Sequence, residues 1–479
     1  MKEGYIKQED RKKILFICDD IRMHSGVATM AREIVTGTAH RYNWVNVAAA
    51  IKHPDAGKKL DLSNDTNKVA GISDASITLY PNDGYGNADL IRQLIKIEKP
   101  DAIMLFTDPR YFVWLFQIED EIRKQMPIFY YNIWDDSPAP LWNESFYESC
   151  DLLMGISKQT QNLNKIVLGS KKESKILSYV PHGINEDQFF PITQEYEKYD
   201  DFKSFKNNVL GGNEYDFIAF WNSRNIHRKH PSDVILAFNQ FVSKLPKDKA
   251  KRCALVMHTE PVDQNGTDLP AIKDLVCDPE YCNVIFSTNK LSPDHMNYLY
   301  NMADITMLIS SNEGWGLSLT ESLLTGTMIL SNVTGGIQDQ MRFEDEKGDW
   351  IEFNDEFLSN HFGTYKKCGE WALPIFPSNI SLAGSVPTPY IFDDRADFRD
   401  VAEQLENAYN MGVEERIEKG IAGREWATGD EAGFTAKIMC ERMIRDMDDS
   451  FDNFKPRASY TLTKVVEKQR KAIRHPLTY

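Results

Sequence analysis

The N-terminal part of the chain alternates between short apolar runs and amphipathic stretches. The run KKILFICDD (Lys12–Asp20) predicts a buried strand, and after a loop containing Gly26 the apolar residues recur at helical spacing. Further strand-like runs follow at residues 44–51, 101–106, 127–135 and 151–157, with helical stretches between them. This alternation predicts an α/β domain with a parallel sheet.

The same pattern starts again after a polar stretch. Strand-like runs cover residues 215–224, 253–260, 283–289 and 304–311, and amphipathic segments separate them. We therefore expect a second α/β domain, with two Rossmann-like domains facing each other across a cleft. Ligands of such domains bind at the carboxyl ends of the strands.

The pattern also predicts where the domains begin and end. We expect an N-terminal domain at 1–195, a linker at 196–214 and a C-terminal domain at 215–449. Residues 343–390 break the rhythm and predict an insertion, and the tail at 450–479 is expected to pack back on the first domain.

Charge and cysteine content narrow the class of protein. The 479 residues carry a formal net charge of −16, which argues against a general nucleic-acid binder. The seven cysteines form no CxxC motif, which favours reduced thiols in the cytoplasm over a zinc site or disulfide framework. The N-terminus lacks the apolar core of a secretory signal, and no run is long enough for a membrane span.

The stretch SNEGWGLSLTESLLTG (Ser311–Gly326) places two carboxylates around a glycine-rich turn at the start of a helix. Glycine lets a backbone approach a ligand closely, and a helix N-terminus offers N–H groups to an anion. Glu313 and Glu321 would then accept hydrogen bonds from sugar hydroxyls. Ser318 and Glu321 also fit a capping box, which needs no ligand.

A second candidate stretch, FWNSRNIHRKHPSD, follows the first strand of the second domain. It places Arg224, Arg228 and Lys229 between a strand and a helix. Three cations at the carboxyl edge of a sheet suit a diphosphate, which arginine can bind with two hydrogen bonds. A solvated basic loop is the alternative.

These two stretches together carry a family resemblance. EGWGLSLTE, preceded by the Arg/Lys loop and followed by NVTGGI, resembles the retaining family 4 glycosyltransferases of the GT-B fold, bacterial and phage members in particular. The resemblance covers residues 12–190 and 215–340 and is weak across 343–390.

The resemblance implies a nucleotide-sugar donor, a UDP-sugar first of all, and no metal ion. Glu321 would hold the ribose and Glu313 the transferred sugar. Arg224 and Lys229, with Arg228 beside them, would neutralise the leaving diphosphate. Further donor contacts would come from the backbone near Trp315, Gly316 and Leu317, and from the Gly26 loop of the first domain.

The acceptor side departs from the family pattern. Many members carry a histidine after the strand that corresponds to PIFYYNIWDD, where this chain has Trp134 and Asp135. Asp135 and His24 are therefore candidates for that role. Asp108 and Arg110, also at a strand end, are further candidates, although a salt bridge between them is the simpler interpretation.

The sequence leaves the acceptor open between a small molecule, a glycan and hydroxymethylated DNA. The basic tail, with seven Lys/Arg and one acidic residue between Lys455 and His475, would contact phosphates in the last case. The alternative for this tail is a helix that packs on the first domain with its charges in solvent. A nucleotide-sugar epimerase or binding protein on the same fold is a further alternative, whereas an NAD dehydrogenase would need a G-x-G-x-x-G motif after the first strand.

Overall fold

The computed structural model describes residues 4–354, 357 and 359–458. The chain divides into two compact units. The first holds the residues up to His182, together with Phe353, Asn354 and Phe357 and the residues from Ala436 to the end of the described part. The second holds Gly183–Glu352 and the described residues of 358–435.

The first unit is built on an eight-stranded sheet with helices in the connections. Its strands are β1 (Lys12–Asp19), β2 (Tyr42–Ala50), β3 (Leu60–Asp61), β4 (Ile77–Asp83), β5 (Ala102–Phe106), β6 (Ile128–Asn132), β7 (Leu152–Gly155) and β8 (Ile176–Tyr179). Its helices up to His182 are α1 (Gly26–Thr38), α2 (Ser63–Ala70), α3 (Ala88–Glu98), α4 (Val113–Phe116), α5 (Glu119–Ile122), α6 (Glu144–Glu148) and α7 (Lys158–Leu168).

The strand order in this sheet is β3-β4-β2-β1-β5-β6-β7-β8. All neighbours are parallel except the short β3, which pairs antiparallel with β4. Ile14 to Ile17 of β1 are completely buried, as expected for a strand covered by helices on both faces. The order reverses between β1 and β5, so this sheet has the switch point of a doubly wound fold.

The second unit contains a six-stranded sheet and a two-stranded hairpin. Its elements are α8 (Tyr199–Val209), β9 (Phe217–Asn222), α9 (Pro231–Ser243), α10 (Lys247–Ala250), β10 (Cys253–His258), α11 (Leu269–Val276), β11 (Asn283–Ser287), α12 (Pro293–Asn301), β12 (Ile305–Leu308), α13 (Leu317–Leu324), β13 (Met328–Asn332), α14 (Ile337–Met341), β14 (Ala372–Ile375), β15 (Asn379–Ala383), β16 (Ile391–Arg395) and α15 (Phe398–Thr428). The last helix of the chain, α16 (Ala436–Asn453), belongs to the first unit.

The sheet of the second unit is entirely parallel, with the order β11-β10-β9-β12-β13-β14. Its switch point lies between β9 and β12, where Ile305 pairs with Ala219. The α9 helix covers this sheet with a buried face that includes Val234, Phe238 and Phe241. Both units therefore have the Rossmann-like architecture that the sequence predicts.

The boundaries differ from the predicted ones. The first unit gives way to the second at Gly183, and the predicted linker at 196–214 contains α8. This helix packs against α12, where Phe202 meets Tyr298 with ring centroids 5.5 Å apart. The polar stretch predicted as a linker therefore contains a helix, which is polar except for a narrow aromatic stripe.

The predicted insertion at 343–390 is also partly regular. It contributes β14, which pairs with β13 at the edge of the main sheet, and β15 of the hairpin. At the other end of the chain, Phe451 packs on Phe129 with ring centroids 5.3 Å apart, and the Arg457 N–H donates to Arg123 O at 2.8 Å. Residues 450–458 of the predicted tail thus lie on the first unit, and 459–479 lie outside the described residues.

Candidate functional site

The candidate site lies at the carboxyl edge of the six-stranded sheet, where the strand order reverses. β9 ends at Asn222 and the neighbouring β12 ends at Leu308. The loops that follow these strands carry the Arg/Lys stretch and the glycine-rich stretch. Open α/β sheets bind ligands at this position because two adjacent connections leave the sheet in opposite directions.

The two loops meet through a cluster of opposite charges. The Lys229 ammonium and the Arg228 guanidinium both donate to Oε2 of Glu313, the latter at 3.2 Å. The Ser310 hydroxyl donates to the same oxygen at 3.3 Å. Lys229 and Glu313 are buried, whereas the Arg228 side chain keeps 37% of its surface exposed. The carboxylate is therefore paired, as a buried charge requires.

Backbone contacts fix the two loops to each other. The Ser311 N–H donates to Arg228 O at 2.9 Å, and Arg228 Nη1 donates to Asn312 O at 2.9 Å. Behind this contact, the Gly336 N–H donates to Glu313 O at 2.9 Å. The cluster is held from three segments, so its geometry does not depend on the ion pairs alone.

Glu321 lies in α13 and has a different environment. The Tyr300 hydroxyl donates to Glu321 Oε2, and Asn222 Nδ2 donates to the Tyr300 hydroxyl at 2.8 Å. Burial raises the pKa of Glu321 to about 7, and the hydrogen bond from Tyr300 opposes this rise only in part. Near neutral pH the side chain therefore exchanges between a carboxylate that accepts hydrogen bonds and a neutral acid.

The capping-box alternative for Ser318 and Glu321 is wrong. The N-cap of α13 is Gly316, at φ 81°, and it makes no side-chain capping bond. Ser318 lies inside the first turn, so its hydroxyl is not in the N-cap position. The Leu319 N–H donates to Gly316 O at 3.0 Å, and the helix itself offers no partner to the N–H groups before it.

The Trp315 side chain belongs to the core rather than to an open surface. It is 2% exposed, its Nε1–H donates to Thr320 Oγ1 at 2.9 Å, and its ring meets Phe434 edge-on at 4.8 Å. Gln340 Nε2 donates to the carbonyl oxygens of Trp315 and Gly316 at 2.5 and 3.3 Å. The Trp315 side chain is thus part of the packing behind the site and does not face an open surface.

Arg224 stands apart from the charge cluster. Its Nε donates to Asp263 Oδ2 at 3.0 Å, and its side chain is 64% exposed. Asp263 lies in the connection between β10 and α11. The structure joins Lys229 and Arg228 to Glu313, but it gives Arg224 a different partner.

A carboxylate pair at the end of β16 also holds the site loops. Asp393 Oδ1 accepts from Asn312 Nδ2 at 3.0 Å, and Asp394 Oδ2 accepts from Thr334 Oγ1 at 2.7 Å. Asp394 is fully buried, and burial raises its pKa to about 6. Nothing in the sequence assigns this pair to the site, since adjacent acidic residues are usually solvated or capping.

A small polar pocket adjoins the Arg/Lys loop. It has a volume of about 190 Å³ and is lined by residues that include His227, His230 and Arg395. Asp233 also lines it, with Oδ2 3.6 Å from His230 Nδ1 and 3.8 Å from Arg395. The Asp233 carboxylate offsets the positive charge of Arg395, so the pocket does not have the uniformly positive lining that would bind an anion.

In the first unit, Gly26 is the first residue of α1, and Ser25 caps this helix by accepting from the Ala28 N–H at 3.0 Å. The Ser25 hydroxyl also donates to Asp19 Oδ2 at 2.5 Å, and Tyr85 donates to Asp19 Oδ1 at 2.6 Å. His24 is exposed beside this network. The sequence does not predict the hydrogen bond between Tyr85 and Asp19, because Asp19 ends β1 whereas Tyr85 follows β4.

The acceptor-side candidates form a second group in the first unit. Arg110 Nε lies 3.2 Å from Asp108 Oδ2, and the Arg110 N–H donates to Asp108 Oδ1 at 2.9 Å. Burial raises the pKa of Asp108, and the nearby charge of Asp135 adds to this. Arg110 therefore forms a salt bridge with Asp108, which was the simpler of the two interpretations of these residues. Asp135 is half-buried beside the pair.

His182 is a packed histidine, buried in the first unit. Its Nδ1 lies 2.8 Å from the Tyr131 hydroxyl, and burial lowers its pKa to about 3. Within residues 4–354, 357 and 359–458, no group of three or more His, Cys, Asp or Glu side chains is placed to hold a metal ion. No helix of the described part is long and apolar enough to cross a membrane.

Comparisons with known proteins place these findings in context. Residues 202–361, which contain the charge cluster and Glu321, match the family model of the glycosyl transferases group 1. No curated protein sequence matches the chain.

Among solved structures, Anabaena HepE in complex with UDP and glucose is similar, with a TM-score of 0.61 and 13% identity over 92% of this chain and all of that chain. A glycosyltransferase from Rickettsia africae gives a TM-score of 0.61 and 13% identity, covering 93% of this chain and 100% of that chain. Sucrose-phosphate synthase from Thermosynechococcus elongatus gives 0.60 and 13%, with coverages of 92% and 100%. These likenesses confirm the predicted GT-B fold class with two Rossmann-like domains.

Proposed function

We propose that this protein is a glycosyltransferase that moves a sugar from a nucleoside diphosphate sugar to an acceptor hydroxyl. The observation that carries the proposal is the cluster of Lys229, Arg228 and Glu313 at the switch point of the second sheet, with Glu321 in the helix that follows. The match of residues 202–361 to the glycosyl transferases group 1 supports it.

Each residue of the cluster has a role in this proposal. The departing nucleoside diphosphate gains negative charge as the bond to the sugar breaks, and the Lys229 and Arg228 cations stabilise that charge. Arg228 is half-exposed and Arg224 largely exposed, so both can turn towards a diphosphate. Glu313 then accepts hydrogen bonds from hydroxyls of the transferred sugar, and Glu321 accepts them from the ribose.

We propose a UDP-sugar as the donor and transfer with retention of configuration. The likeness to HepE, which was solved with UDP-glucose, supports the uridine nucleotide. The retaining stereochemistry follows from the sequence resemblance to family 4. We propose no metal ion, because the Lys229, Arg228 and Arg224 side chains supply positive charge for the diphosphate.

The acceptor in this proposal is a small molecule or a glycan. The alternative acceptor is hydroxymethylated DNA, because the sequence resembles phage members of the family. In that alternative the enzyme would work in the host cytoplasm. A nucleotide-sugar epimerase or a binding protein on the same fold would use the donor without transferring it.

The test is a transfer assay with UDP-, GDP-, ADP- and dTDP-linked sugars, each with a panel of glycan, small-molecule and hydroxymethylated DNA acceptors. The expected result is release of one nucleoside diphosphate for each sugar joined to an acceptor, with no loss of rate in EDTA. A donor converted to its epimer without release of the diphosphate would contradict the proposal, and strong inhibition by EDTA would contradict its metal-free form.

A further inference from the structure

Two cysteines of the second unit lie in direct contact. Cys282 Sγ lies 3.0 Å from Cys277 Sγ and donates its hydrogen bond to it. The other five cysteines use their sulfurs differently, since each lies within reach of a backbone carbonyl oxygen: Cys18, Cys150, Cys253, Cys368 and Cys440. The thiol–thiol contact therefore sets this pair apart.

We infer that Cys277 and Cys282 are an oxidation site, which hydrogen peroxide or another small two-electron oxidant converts into an intrachain disulfide. A disulfide bond is about 2 Å long, so the two sulfurs need to approach by only about 1 Å. The inference does not depend on the proposed glycosyl transfer.

The backbone already brings the two residues together. Cys277 follows the last residue of α11, and Cys282 directly precedes β11. The turn between them is closed by hydrogen bonds to Asp278, whose carbonyl accepts from the Cys282 N–H at 2.9 Å and whose Oδ1 accepts from the Glu280 N–H at 2.8 Å. Forming the disulfide therefore requires little rearrangement of the backbone between the two cysteines.

The two thiols differ in a way that suits stepwise oxidation. Cys282 is 3% exposed and packs on the core, whereas Cys277 is partly accessible to a small oxidant. The hydrogen bond from Cys282 lowers the pKa of Cys277, and the Lys273 ammonium adds to this, while burial opposes it. A thiolate is the nucleophilic form of cysteine, so Cys277 is the residue that reacts first.

The chemistry balances with one peroxide molecule. The Cys277 thiolate attacks a peroxide oxygen, the O–O bond breaks, and a sulfenic acid forms with release of hydroxide. The Cys282 sulfur then attacks the sulfenic sulfur, the S–O bond breaks, and the second oxygen leaves as water. The two sulfurs lose two electrons, the peroxide oxygens gain them, and the two thiol protons end in water.

The test uses the full-length protein, treated with hydrogen peroxide, blocked with N-ethylmaleimide and digested with trypsin. Cleavage after Lys273 and Lys290 gives the fragment 274–290, in which Cys277 and Cys282 are the only cysteines. We expect this fragment to have lost two hydrogen atoms and to carry no maleimide. Reduction with dithiothreitol should restore two labelled cysteines.

Matched variants identify the order of reaction. Cys282→Ser should stop disulfide formation and leave a Cys277 sulfenic acid that dimedone traps, while Cys277→Ser should leave Cys282 reduced. Cys368→Ser, which removes a half-buried cysteine elsewhere, should behave as the wild type. A wild-type fragment that keeps two maleimide labels after peroxide treatment, or that is oxidised only to sulfinic or sulfonic acid, would overturn the inference.

Discussion

The ammonium group of Lys229 donates to the same carboxylate oxygen of Glu313 that accepts from Arg228, and both Lys229 and Glu313 are buried. A buried ion pair contributes little net stability, but removing one partner leaves an uncompensated charge. This arrangement holds two cations and a carboxylate together in the loops that follow β9 and β12. It also means that single substitutions here change stability as well as chemistry.

The first prediction separates these two effects. Lys229→Met should lower the free energy of unfolding, but by less than the cost of about 3–5 kcal/mol for a fully unpaired buried charge, because Glu313 keeps Arg228 and Ser310 as partners. The double variant Lys229→Met/Glu313→Gln should regain most of that stability, since both charges are gone, yet transfer no sugar. Denaturant unfolding and the transfer assay measure the two properties. If the stable double variant transferred sugar at the wild-type rate, neither Lys229 nor Glu313 would be part of the donor site.

The second prediction concerns pH and Glu321. Its pKa is raised from 4.5 to about 7 in the folded protein, so the folded state binds a proton more tightly than the unfolded one. The contribution of Glu321 to the stability of the unliganded protein should therefore be fully present below about pH 4.5 and be lost as the pH rises through about 7, by at most ~3 kcal/mol. Donor affinity should change in the opposite direction, rising through pH 7 as the carboxylate forms.

Glu321→Gln is the control for that prediction. It keeps the shape of the side chain but does not titrate, so the rise in donor affinity with pH should disappear. Asp394, whose pKa is raised to about 6, contributes a stability loss of the same sign and remains in the variant. The difference between wild type and variant therefore isolates Glu321. An identical pH dependence of donor affinity in both proteins would exclude it as the titrating group.

The third prediction uses the turn before α13. Gly316 has φ 81°, and an added Cβ would lie 2.8 Å from Leu308 Cδ2 and 3.6 Å from Glu313 Cγ. Gly316→Ala should therefore destabilise the protein, because the side chain of Leu308, the last residue of β12 beside the site, has to move. Gly212→Ala is the matched control, because its φ is 78° but its Cβ would meet nothing within 4 Å.

We expect Gly212→Ala to cost about 1–2 kcal/mol with full transfer activity, and Gly316→Ala to cost more and to lower the transfer rate. Thermal unfolding and initial rates decide this. Equal effects of the two substitutions would show that only the backbone conformation matters at Gly316.

The fourth prediction tests Arg224. Its exposed pair with Asp263 should contribute no more than about 1 kcal/mol to stability, so Arg224→Met should leave the unfolding transition nearly unchanged. If Arg224 turns to the diphosphate, the same variant should raise the donor KM or lower kcat, while Asp263→Asn, which frees the guanidinium, should do neither. Unchanged kcat and KM in Arg224→Met would show that Arg224 does not bind the donor.

The sequence predicts the elements of this site better than their contacts. The strand ends and the two loops follow from hydrophobic periodicity and glycine placement, so the sequence alone indicates Lys229, Glu313 and Glu321 as candidates. Tyr300 is not among them, because nothing in α12 indicates that its hydroxyl meets Glu321. Such contacts depend on how distant segments pack, which periodicity does not record.

The same reason explains the errors in the fold. The edge strand β14 is only four residues long and contains Pro374, so its pattern does not indicate a strand; an edge position tolerates proline because one side of the strand needs no partner. Asp394 looks like a solvated acidic residue in the sequence, and only the folded chain places it against Thr334 and Asn360.

The central claim is that the second unit binds a nucleoside diphosphate sugar through Lys229, Glu313 and Glu321. The most direct measurement is thermal unfolding of the wild type and of Lys229→Met/Glu313→Gln with increasing UDP-, GDP-, ADP- and dTDP-linked sugars. A ligand that binds only the folded state raises its stability. We predict that one donor raises the Tm of the wild type in proportion to the logarithm of its concentration and leaves the double variant unchanged. Equal shifts in both proteins, or none with any donor, would contradict the account.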